Sequence, residues 1–108
     1  MELCRTVYRL TTLFPEDERF GLVSQMRRAS ISVPSNVAEG QGRLARREFL
    51  HFLAFARGSL KELETQLLIA RDLGYATAGR VDPCLALAEQ VGRMLSALIR
   101  SIRKKVGS

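Results

Sequence analysis

LARREFLHFLAFARGSLKELETQLLIARDL, Leu44 to Leu73, is the longest stretch of this sequence with one unbroken rhythm. Phe49, Phe52 or Leu53, Ala56, Leu60, Leu63, Leu67 and Ala70 recur at three- and four-residue steps. Such spacing lines up one face of an α-helix. It predicts a helix over 44–73, closed by Gly74. Leu50, Phe55 and Leu68 fall off the stripe, so the apolar surface is wider than one core needs. Excess apolar surface on a small helix is usually covered, which predicts self-association.

Three more helices follow from the same periodicity. Leu3, Val7, Leu10 and Phe14 predict a helix over 2–14, ended by Pro15 because the residue before proline is pushed out of the α region. Phe20, Val23, Met26, Ala29 or Ser30, Val33 and Val37 predict a second over 17–41. Glu16, Asp17 and Glu18 suit its positive end, and Gly40-Gln41-Gly42 its stop. Pro34 lies inside it and is expected to kink it near Ser30 and Ile31. Val91, Leu95, Leu98 and Ile102 predict a fourth helix over 81–105, with Asp82-Pro83 in its first turn. No segment alternates with period two, so no sheet is expected. The reading is all-α: one domain over 1–108, an antiparallel up-down four-helix bundle joined by short links.

Composition narrows the function. The chain has no run of 18 apolar residues, which argues against a membrane span. The start Met1-Glu2-Leu3-Cys4-Arg5 lacks the basic and then apolar pattern of a secretory signal, so a cytoplasmic location is expected. Cys4 and Cys84 are distant and outside any CxxC pattern, as reduced structural thiols would be. With one histidine, no zinc set can be assembled, and no metal or other cofactor is expected. Net charge is +6. Residues 77–108 hold Arg80, Arg93, Arg100, Arg103, Lys104 and Lys105 against Asp82 and Glu89, so four of the six surplus charges lie there. A basic end of this kind attracts polyanions.

Four constellations in the sequence bear on chemistry. Gln25, Arg28, Ser32, Asn36 and Glu39 share a face of the second helix, and Ser59 and Glu62 can face them from the third. This stripe reads as a buried structural network more readily than as a ligand pocket. Glu39 and Glu62 would be the only paired carboxylates, and nothing else of a hydrolase site accompanies them, so no enzyme is expected. Glu48-x-x-His51 is half of a di-iron motif, but the partner motif is missing from the chain. Arg43, Arg46 and Arg47 around a helix start offer a phosphate site, to which Arg100, Arg103, Lys104 and Lys105 add. No aromatic residues interleave this basic sequence, so base stacking is not expected and sequence specificity should be low.

Three pieces in order carry a resemblance: Phe20 to Ala29 (FGLVSQMRRA), Ser32 to Gly40 (SVPSNVAEG) and Glu48 to Glu64 (EFLHFLAFARGSLKELE). Across about Val7 to Tyr75 the chain resembles the bacterial four-helix bundle family named after the protein encoded in intervening sequences of large-subunit ribosomal RNA. That resemblance implies a ring-like homo-oligomer, typically a pentamer. A related branch, the accessory protein of diversity-generating retroelements, works with nucleic acid, so the resemblance supports RNA or DNA binding by analogy. The expected function is an oligomeric module for structured RNA or DNA. The alternative is a structural or protein-interaction scaffold.

Overall fold

A computed structural model describes residues 1–107. Four α-helices and one short 3₁₀ turn make up the fold, with no strand among the described residues. They are α1 (Glu2–Thr11), the 3₁₀ turn Glu16–Glu18, α2 (Leu22–Gln41), α3 (Arg46–Asp72) and α4 (Ala78–Gly107). α3 packs along both α2 and α4. α1 lies against the same two helices on the other side and makes no close backbone approach to α3.

The core forms where the stripes meet. Leu53, Leu60, Leu63 and Leu67 of α3 are fully buried, with Leu3, Val7, Met26, Val33 and Val81 around them. α3 ends as its glycine requires. Gly74 has φ +75°, Tyr75 N–H bonds Ala70 O at 3.0 Å and Gly74 N–H bonds Arg71 O at 3.1 Å. That pair of bonds is the Schellman arrangement, in which glycine tolerates the left-handed turn.

Several boundaries differ from the expectation. α1 stops at Thr11, because Leu13 and Phe14 close tighter turns onto Leu10 and Thr11 before Pro15. Glu16 to Glu18 do not open α2. Glu18 instead accepts a 2.8 Å bond from the Tyr75 hydroxyl, which ties the 3₁₀ turn to the loop after α3. α2 therefore starts at Leu22, and Phe20, expected on its apolar stripe, is 89% exposed. Gly40 is a helical residue rather than a stop. A Cβ there would come within 2.7 Å of the Phe49 ring, so glycine permits α2 to close on α3. α4 begins at Ala78, a turn before the expected start, and Pro83 sits inside it. On α4, Ile99 takes the core position that the heptad spacing gave to Leu98, which is 36% exposed.

Pro34 is accommodated within α2. It has no N–H for the carbonyl of Ser30, four residues back. The Cys4 thiol of α1 donates to that carbonyl at 3.2 Å. Ser30 itself is fully buried, and its hydroxyl bonds Arg27 O at 2.8 Å.

Candidate nucleic-acid interface

Arg46 and Arg47 open α3 and are exposed. Their helix starts after Ala45, which has extended backbone and no capping side chain. The first amides of α3 thus point outward beside two guanidinium groups, a local excess of positive potential that Glu48 only partly offsets. Arg43 differs. It pairs with Glu39 at 2.7 Å, and its guanidinium lies over the Phe52 ring, 5.0 Å from the centroid. Arg100, Arg103, Lys104 and Lys105 are all exposed on the last turns of α4.

A groove of about 550 Å³ between α3 and α4 gathers Arg93 and Arg100 of the basic end with Arg57 and Lys61, which sequence reading passed over. Arg57, Lys61 and Glu64 line one wall, and Glu89, Arg93 and Arg100 the other. Gly92 forms part of the lining, and a Cβ on it would meet Leu60 Cδ2 at 3.2 Å. Lys61 reaches Glu64 Oε2 at 3.4 Å, while Glu64 Oε1 is buried with no hydrogen-bond partner among the described residues. Arg57, Arg93 and Arg100 make no ion pair among the described residues. The signal was present in the sequence, since Arg57 and Lys61 are one turn apart and Arg93 and Arg100 two turns apart.

The polar stripe divides. The Ser32 and Ser59 hydroxyls share a 2.8 Å hydrogen bond across α2 and α3. Asn36 Nδ2 donates to Ser32 O at 2.8 Å and to Ser32 Oγ at 2.9 Å. These three residues are half-buried and bonded to one another. Gln25, Arg28 and Glu62 are exposed and, with Ser32 and Ser59, border a small recess of about 160 Å³. Glu62 Oε1 accepts a 3.2 Å bond from buried Gln66. Glu39 stands apart with Arg43, beside Phe52, while Glu62 lies ten residues further along α3, about 15 Å on a helix. The two glutamates are therefore not a carboxylate pair. His51 is exposed and meets the Phe55 ring edge-on at 4.6 Å. No group of three or more potential metal ligands occurs among the described residues. Among the described residues, no helix is long and apolar enough to cross a membrane.

A second basic surface was missed because its parts are far apart in sequence. Tyr8 of α1 comes beside Arg19, Phe20, Arg27 and Arg28. The Arg27 guanidinium lies 4.7 Å from the Tyr8 ring centroid, and that of Arg19 lies 5.6 Å from the Phe20 centroid. Aromatic and basic side chains are thus interleaved in space, contrary to the expectation from sequence.

Residues 1–97 match the family profile described as 23S rRNA-intervening sequence protein. The chain is also similar in structure to a protein of unknown function from the S23 ribosomal protein family of Bacteroides thetaiotaomicron. The TM-score is 0.81 over 91% of this chain and 92% of that one, at 20% identity, a likeness of fold. No curated protein sequence matches the chain.

Proposed function

The chain belongs to the 23S rRNA-intervening sequence protein family, and from that premise we propose a non-enzymatic, self-associating module that holds structured RNA or DNA by its phosphates. The observation that carries this reading is the α3–α4 groove, with four cations against two carboxylates and three arginines that make no ion pair among the described residues. Arg57 and Arg100 share that groove. In our reading the helices are antiparallel neighbours. The basic start of α3 and the basic end of α4 then extend the groove in one direction. Phosphates recognised at such a surface supply affinity and little sequence information.

Self-association is supported by a second groove, of about 490 Å³, between α2 and α4. Val33, Val37, Val91, Met94 and Leu98 line it, and it is almost wholly apolar. A ring of subunits, a pentamer by the family resemblance, would multiply the +6 charge and turn weak contacts into avidity. The same groove favours the scaffold reading if nucleic acid is not bound.

Fluorescence anisotropy with structured RNA, duplex DNA and single-stranded DNA at low and physiological salt tests the proposal. Affinity should fall steeply with salt, by about 0.9 log units per log unit of salt for each phosphate contacted in a duplex. No binding at physiological salt rejects the nucleic-acid reading and leaves the scaffold.

A further inference from the structure

The surface that joins α1 to the start of α2 has a ligand chemistry of its own. Arg19, Phe20, Arg27, Arg28, Tyr8 and Ile31 border a recess of about 480 Å³ that no carboxylate lines. Phe20 is 89% exposed, Ile31 45% and Tyr8 37%. Leaving a phenylalanine in water forgoes the free energy of its burial. A lone exposed apolar residue is ordinary, but three around three arginines form a patch with a defined chemistry.

The arginines are set in two ways. Arg27 is fixed: its Nε donates to Thr11 Oγ1 at 2.9 Å, its Nη2 reaches Tyr8 O at 3.4 Å, and its plane covers the Tyr8 ring. Arg28 and Arg19 make no ion pair among the described residues; the Arg19 guanidinium lies near the Phe20 ring and borders a neighbouring recess that Glu16 also lines. A flat aromatic face with unneutralised guanidinium groups beside it complements a ligand that is planar and anionic at once. An acidic peptide would match the charge, but only an aromatic residue beside its carboxylates would give it a planar face. Nucleotides of an unpaired strand match both.

We propose that this recess binds single-stranded nucleic acid, with one unpaired base stacked on Phe20 and the adjoining phosphates held by Arg19 and Arg28. This deepens the nucleic-acid reading and rests on it. Stacking of a base on an aromatic side chain tolerates any sequence, because every base has a π face. The α3–α4 groove would take duplex regions, and this recess a loop or an end.

The test uses the full chain with three probes: a fluorescein-labelled oligouridylate, the same strand carrying a single 2-aminopurine, and an RNA duplex. Phe20→Ala should weaken binding of the single strand about tenfold and leave the duplex unchanged. It should also abolish quenching of 2-aminopurine, which Phe20→Trp should retain. Phe20 is exposed, so both variants should melt with the wild type. If the duplex binds with the expected salt dependence while Phe20→Ala leaves single-strand affinity and quenching unaltered, this inference fails and the broader proposal stands. If neither strand nor duplex binds, both fail. If Phe20→Ala changes the oligomer mass in light scattering but not binding, the surface is a contact between copies and the inference is overturned.

Discussion

The Cys4 thiol and the Ser30 carbonyl meet at 3.2 Å, and that carbonyl is the one Pro34 cannot serve. One helix thereby repairs the hydrogen-bond ladder of another. A buried carbonyl left without a donor costs roughly 1–3 kcal/mol, so even a weak S–H donor has value there.

Cys4→Ala should lower stability by about 1 kcal/mol, and Cys4→Ser by less because a hydroxyl can take over the bond. Pro34→Ala returns an amide to the helix, so the Cys4→Ala penalty should shrink in that background. Urea midpoints of the four proteins in this cycle measure the coupling directly. Equal penalties in both backgrounds would show that the thiol only fills space.

Asn36→Ala should cost about 1 kcal/mol, because it strips donors from Ser32, which also bonds Ser59. Glu62→Ala should cost no more than about 0.5 kcal/mol, since its carboxylate is exposed and bonds only its helix neighbour Gln66. Thermal melts of both variants rank the two sites, and a reversed order would refute the assignment.

Gly40→Ala should destabilise by about 1–3 kcal/mol. Its Cβ would press on Phe49 Cδ1 at 2.7 Å and Phe52 Cβ at 2.9 Å, which one side-chain rotation does not relieve. A combined Gly40→Ala, Phe49→Leu variant should recover part of the loss in a denaturant titration.

Stability should fall as the pH rises from 9 toward 11. Burial lifts the Cys84 thiol to about 11, above its ordinary 9.0. The hydrogen bond to Glu18, then desolvation, raises the Tyr75 hydroxyl as well. A group with its folded pKa raised stabilises the fold fully below its unfolded pKa and ceases to do so above its folded one. Cys84→Ala should flatten part of the decline in urea midpoints between pH 9 and 11, and an unchanged profile would exclude the thiol as its source.

Arg57→Gln with Arg100→Gln should reduce the salt slope of duplex binding by about 2 if each arginine meets one phosphate. Anisotropy titrations over a salt series read that slope. An unchanged slope would move the duplex contacts off the α3–α4 groove.

Much of the fold was legible because apolar periodicity survives without knowledge of neighbours. The α3 stripe from Leu53 to Ala70 and the Gly74 ending follow from spacing and backbone sterics alone. Phe20 was misplaced because its exposure depends on Glu18 bonding Tyr75, 57 residues away. Leu98 and Ile99 are adjacent apolar residues, and spacing alone does not decide which of the two faces the core. At the candidate sites, Arg46, Arg47 and Arg100 could be picked out as charge. The joining of Arg57 to Arg93, or of Tyr8 to Arg27, is decided by helix pairing and has no local trace in the sequence.

Ten residues of α1 span about 15 Å, against about 30 Å for the twenty of α2. The first helix therefore works as a half-length stave, sealing one end of the barrel and leaving the other ajar. Amide exchange along α2 should carry that asymmetry: slow beside Val23 and Met26, faster toward Val37 and Ala38. Whatever docks against the open half would even out the gradient, so the exchange profile of α2 is a built-in gauge of occupancy.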